Sequence, residues 1–247
     1  MNKVKALIGA VVAAIVLVVG GVWVYINVIK DDAPEELTLD SPATTVPNDD
    51  AASPSGSDGG TTPDTATAEI PYDGTLDGDW VPNGTQLAGY RIAETLAGQA
   101  TEGVGRTDRV DGAFSIVGTT ITEADFSVDM ASVKSDSSRR DGQYNSRLME
   151  TDTYPTASFV LTQPIELGSE PAEGEAVSVQ AVGELTLKDT TREVTFELEA
   201  RRDGGRITIV ATYEIVFADW GIEDPSNGFA QVGPSGLLEI RLELAKA

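Results

Sequence analysis

Three arginines, Arg139, Arg140 and Arg147, fall within nine residues of a chain whose formal net charge is −23. They open the stretch SSRRDGQYNSRLMETDTYPTASFVL, residues 137–161. Guanidinium forks suit phosphate and carbonyl oxygens, so Arg139 and Arg140, with Asp141 and Tyr144 beside them, are candidates for gripping the polar part of a ligand. Tyr144 and Leu148 follow in the same segment. The same residues also have a plain structural use. Ser137 or Ser138 can cap a short helix, Arg140 can pair with Asp141, and Tyr154-Pro155 can lead back into a strand. The segment reads as a polar crossover with a second role at a ligand's head.

Other chemistry is excluded by composition. The 247 residues contain no cysteine and no histidine. Disulfides, thiolate and imidazole metal sites, and Ser-His-Asp or Cys-His nucleophiles are therefore absent. No nucleophile-base constellation remains, so no catalytic residue is assigned and the chain is expected not to be an enzyme. Paired carboxylates acting on a lipid or sugar are the minor alternative. The acidic Asp219, Glu223 and Asp224 lack the spacing of a calcium loop, and no metal site is expected. The strong negative charge argues against a nucleic-acid partner.

The elements that must position these residues begin with an apolar run. ALIGAVVAAIVLVVGGVWVYINVI, residues 6–29, holds 24 uncharged residues. At ~1.5 Å per residue it reaches about 36 Å, enough for a hydrocarbon core of roughly 30 Å. Lys3 and Lys5 precede it, and Asp31, Asp32, Glu35 and Glu36 follow. The positive-inside bias predicts a single-pass cell-membrane anchor with the C-terminal part extracytoplasmic. A cleaved signal peptide is the alternative, but no A-x-A-like site closely follows the run. Residues 31–77 are rich in Ser, Thr, Pro, Asp and Gly and read as a disordered acidic linker. As a coil of about 45 residues it would span roughly 35–40 Å. The expected organisation is a cytoplasmic stub and anchor over 1–30, this linker, and a folded domain over 78–247.

From Gly78 onward the apolar residues recur with period two. Val194, Phe196 and Leu198 alternate with polar neighbours, as do Leu238, Ile240, Leu242 and Leu244. Ile207, Ile209, Ala211, Tyr213, Ile215 and Phe217 share one face. Asp203-Gly204-Gly205 supplies hairpin turn chemistry, and Lys188-Asp189-Thr190 reads as another tight turn. Further strands are expected near 86–94, 105–117, 119–132, 156–166 and 176–187. That gives about eight antiparallel strands with one helical interruption near 138–150. Alternation alone does not separate a closed barrel from a two-sheet sandwich.

The order of several segments resembles the YceI-like family, described as a lipid- and polyisoprenoid-binding domain. They are Trp80, GYRIAE (89–94), VDGAFSIVGTTI (110–121), VDMASVKSDSSRRDGQYNS (128–146), METDTYPTASFVL (149–161), VGELTLKDTTREVTFELEA (182–200) and ADWGI (218–222). The resemblance covers the whole folded region. It implies an all-β, lipocalin-like, eight-stranded antiparallel barrel with one short helical crossover. It further implies an apolar interior that holds an isoprenoid lipid such as a quinone or polyprenyl chain, with no other cofactor. Family members often carry histidine near position 94 and after the Arg-Asp pair, where this chain has Glu94 and Gln143-Tyr144, so head-group contacts through those histidines do not carry over.

An apolar tail is held by area rather than by one decisive contact. The expected lining is Tyr90, Ile92, Phe114, Ile116, Phe126, Val128, Met130, Phe159, Leu161, Phe196, Tyr213, Ile215, Phe217 and Trp220. The alternative for each is that it fills a solid core, since small barrels are usually packed. That alternative leaves an anchored surface domain with an interaction or envelope-stress role.

Overall fold

The computed structural model describes residues 33–42, 74–96, 98–228 and 230–247. The expected anchor over 6–29 and the linker over 43–73 lie outside the described residues. Among the described residues no helix is long and apolar enough to cross a membrane.

The strands are β1 (Gly78–Leu96), β2 (Gln99–Thr107), β3 (Val110–Val117), β4 (Thr120–Asp129), β5 (Lys134–Ser135), β6 (Thr156–Leu161), β7 (Ile165–Glu166), β8 (Ala176–Leu187), β9 (Thr190–Asp203), β10 (Arg206–Val216), β11 (Ala230–Val232) and β12 (Ser235–Lys246). A short helix, α1 (Ser138–Gln143), runs into a π-helical turn at Tyr144–Leu148 between β5 and β6. The pairings form one sheet in the order β12-β10-β9-β8-β6-β4-β3-β1, and β12 pairs again with β1. The sheet is therefore closed, which rules out the sandwich.

Closure depends on the length of β1. Its 19 residues pair with β12 along one edge, from Trp80↔Lys246 to Arg91↔Leu237. Along the other edge they meet β3 at Gly78↔Ile116 and β2 at Ala88↔Thr107. The two registers nearly coincide, so β2 and β3 act as one strand bent at Asp108-Arg109. Counted that way, the ring has eight strands, as the period-two reading expects.

The turns at β3–β4 and β9–β10 mark the base of the barrel. There large side chains close the lumen. Trp80, Phe114, Ile116, Ile207, Leu242 and Leu244 are buried together, and the rings of Trp80 and Phe114 stack at 6.3 Å and 8°. Trp80 Nε1 donates to the Leu76 carbonyl at 2.9 Å, so the folded unit starts a few residues before Gly78.

The largest departure from the sequence reading lies outside the barrel. Residues 33–42, expected to be part of a disordered linker, form a strap across the outer wall. Leu37 and Leu39 are buried against Leu87 and Val210, outward-facing residues of β1 and β10. Beneath the strap the Glu239 carboxylate accepts from Arg91 Nε at 2.8 Å and from Arg106 Nη2 at 2.9 Å. Arg91 also donates to the Pro34 carbonyl and Arg106 to the Glu35 carbonyl, each at 2.6 Å. Arg241 Nε donates to the Thr38 carbonyl at 3.3 Å, and Arg201 pairs with Asp40 at 2.8 Å. The physical reason is complementarity. A composition average over 31–77 hides two leucines in a short segment whose carbonyls satisfy arginines already fixed on the wall.

Removing one member of a buried ion pair leaves the other members uncompensated. Glu239→Ala should therefore lower folding stability by about 3–5 kcal/mol, read as a shift of the urea midpoint.

Candidate ligand-binding cavity

Above this packed base the barrel is hollow. A cavity of about 450 Å³ runs between the walls, within the ~300–1,000 Å³ range of pockets that enclose small molecules. On β1 its wall extends from Ala88 to Leu96, about 26 Å along the strand. That volume over that length is a tunnel rather than a round chamber. The filled interior weighed above holds only for the base.

The wall is made by the inward positions of every ring strand. Of the residues expected to line it, Tyr90, Ile92, Phe114, Phe126, Val128, Met130, Phe159, Leu161, Phe196, Ile215 and Phe217 are there. Small residues among them, Ala124, Ala157, Ala181 and Ala211, keep the lumen open. Three expected residues are elsewhere. Ile116 sits in the base and lines a separate void of about 60 Å³. Tyr213 packs against Phe196, ring centroids 5.3 Å apart, without reaching the lumen. Trp220 is buried in a 3₁₀ turn below the rim, with Arg192 lying 5.8 Å over its ring. Period two placed these residues on the inner side but carried no information on height along the barrel or on the turn after β10.

Polar groups are confined to the open end, where Glu94, Asp136, Ser137, Arg139, Arg140 and Gln143 reach the cavity. The crossover supplies most of them. Ser137 Oγ accepts from the Arg140 amide at 3.4 Å and caps α1. Arg140 then reaches back over the mouth to Glu94 at 2.9 Å and to Asp136. It does not pair with Asp141, as the sequence suggested. Asp141 is not on the cavity wall. Its Oδ1 accepts from the Ser135 amide at 2.9 Å and from Ser135 Oγ at 2.7 Å, which pins the helix to β5. Glu94 was missed as a site residue. Its signal was a lone carboxylate at an inward position of an otherwise apolar strand face.

Tyr90 and Tyr144 stack at 5.4 Å and 18° just inside the mouth, and Tyr144 donates to Met130 Sδ at 3.8 Å. Two glycines of β2 make this arrangement possible. A Cβ at Gly105 would lie 2.4 Å from the Tyr90 ring, and one at Gly103 would lie 2.9 Å from Arg140 Nε. Gly103 and Gly105 are thus the seat for both side chains. Burial works against the Arg140 charge, but Asp136 and Glu94 outweigh it and raise its pKa. Burial also pushes the phenols of Tyr90 and Tyr144 well above their ordinary value of 10.0. Among the described residues no cluster of acidic side chains could hold a metal ion.

Comparison with known proteins was informative at two levels. The family model of the YceI-like domain matches residues 90–244. A polyisoprenoid binding domain from Saccharophagus degradans, implicated in plant cell wall breakdown, is 20% identical, with a TM-score of 0.56 over 68% of this chain and 98% of that one. BcnA of Burkholderia cenocepacia is 17% identical, with a TM-score of 0.50 over 65% and 96%. At these identities the likeness is one of fold. No match was found among curated proteins.

The two phenols set an alkaline limit. The folded state keeps both neutral, while the unfolded chain releases the protons from about pH 10 upward, so stability should be intact below pH 10 and fall progressively above it. Tyr90→Phe and Tyr144→Phe should each remove one late step from an ultraviolet phenol titration and blunt that fall. Retention of both late steps in either variant would contradict the assignment.

Proposed function

The chain belongs to the YceI-like domain family, and we propose that its barrel binds an isoprenoid chain, a quinone tail or polyprenyl lipid, without acting on it chemically. The observation that carries this reading is the tunnel itself, apolar along its length and polar only at its mouth. A single long apolar chain with a polar head has that pattern. The description of the Saccharophagus degradans relative as a polyisoprenoid binding domain is consistent with it.

Affinity in such a site comes from buried area. Each buried CH₂ contributes about 0.8 kcal/mol, so a few isoprene units suffice without a strong polar contact. The tail would lie among Phe114, Phe126, Phe159 and Phe196, with the head near Arg139, Arg140, Gln143 and Tyr144. Arg140 is already engaged by Glu94 and Asp136. A phosphorylated head would compete with both carboxylates, which favours an uncharged head such as an alcohol or a quinone ring. We further propose that residues 6–29 anchor the chain in a membrane, with the barrel on the outer side, where such lipids are at hand.

Organic extraction of the natively purified chain followed by mass spectrometry should recover a prenyl lipid, and a fluorescent polyprenol should bind saturably. Ala181→Phe or Ala211→Phe should fill the lumen. Excluding two methylenes' worth of tail, about 1.6 kcal/mol, should weaken binding about fifteenfold. Circular dichroism controls for the overpacking. No recovered lipid together with no polyprenol or quinone binding would defeat the proposal.

A further inference from the structure

The strap has a direction. Its first residues meet the barrel near the open end, where Pro34 and Glu35 receive hydrogen bonds from Arg91 and Arg106. Its last meet the barrel near the base, where Asp40 pairs with Arg201, two residues before the end of β9. The N-terminal end of the strap therefore lies on the side of the mouth. Five residue steps separate Ile29, the end of the apolar run, from Pro34, and five steps at ~3.3–3.6 Å reach at most about 18 Å. On β1 the climb from Arg91 to Leu96 at the mouth is also five steps, about 17 Å. Strands of a closed barrel tilt by about 35–45°, so the rim stands roughly 12–14 Å above the first contact, within reach of the tether.

We propose that the strap holds the barrel with its open end against the bilayer, so that the cavity mouth opens onto the lipid surface. This rests on the membrane-anchor reading and not on the identity of the ligand. A linker of about 45 undocked residues would leave the barrel roughly 35–40 Å of play and no fixed pose. Docking of residues 34–40 removes nearly all of it. A ligand could then pass between leaflet and tunnel without crossing water.

The absence of native cysteine makes the test direct. The full chain is reconstituted in vesicles carrying head-group spin-labelled lipid, with a fluorophore on Asp189→Cys or on Asp203→Cys. These positions flank the two ends of β9, at the mouth and at the base. Quenching is expected to be several-fold stronger at Asp189→Cys. The double variant L37E/L39E, which keeps its circular dichroism and polyprenol binding, is expected to lose that contrast. Equal quenching at the two positions, stronger quenching at the base, or a contrast that survives in the double variant would each overturn the proposal. A chain that fails to float with vesicles would also overturn it, while polyprenol titration of the same chain judges the ligand reading separately.

Discussion

The molecule depends on one strand being paired along both edges. β1 has 19 residues, and its ladder with β12 turns an open sheet into a ring. An open sheet of these strands would have to bury its apolar face against something else. The ring buries that face against itself, and the twist of eight strands sets the width between its walls. At the base the space is filled by Trp80, Phe114 and Leu244. Higher up, alanines replace large side chains at inward positions and the same walls no longer touch. Cavity and core are two heights of one interior.

Much of the ring was legible in the sequence. Period two is a local property, and β9, β10 and β12 carry it along their inward faces. Closure is not local, because no residue of β1 announces that its two edges will be taken by strands far along the chain. The strap was hidden for a different reason. Leu87 and Val210 are apolar at outward positions, where alternation calls for polar residues, and Arg91, Arg106 and Arg241 crowd the same wall. Those irregularities were the signal that something covers the wall. What covers it was obscured by the Ser, Thr, Pro and Asp residues around two leucines.

The mouth shows the same division. The arginine cluster of the crossover was visible as a departure from an acidic background, and Arg139, Arg140 and Tyr144 do reach the cavity. The partner of Arg140 was not visible. Sequence proximity suggested Asp141, but that carboxylate accepts from the Ser135 amide and hydroxyl, and Arg140 spans the mouth to Glu94. Gly103 and Gly105 looked like looseness between strands. In the fold they are the clearances that let a guanidinium and a phenol lie across the rim.

The strap also alters what a protease can accomplish. It touches the barrel through two buried leucines and carbonyls held by arginines, and no peptide bond of that contact lies in the stretch from 43 to 73. A cut within that stretch severs the covalent link but leaves the ten-residue segment seated in its groove. Separation of the two pieces is then governed by a dissociation equilibrium between two polypeptides, with no change in the barrel itself.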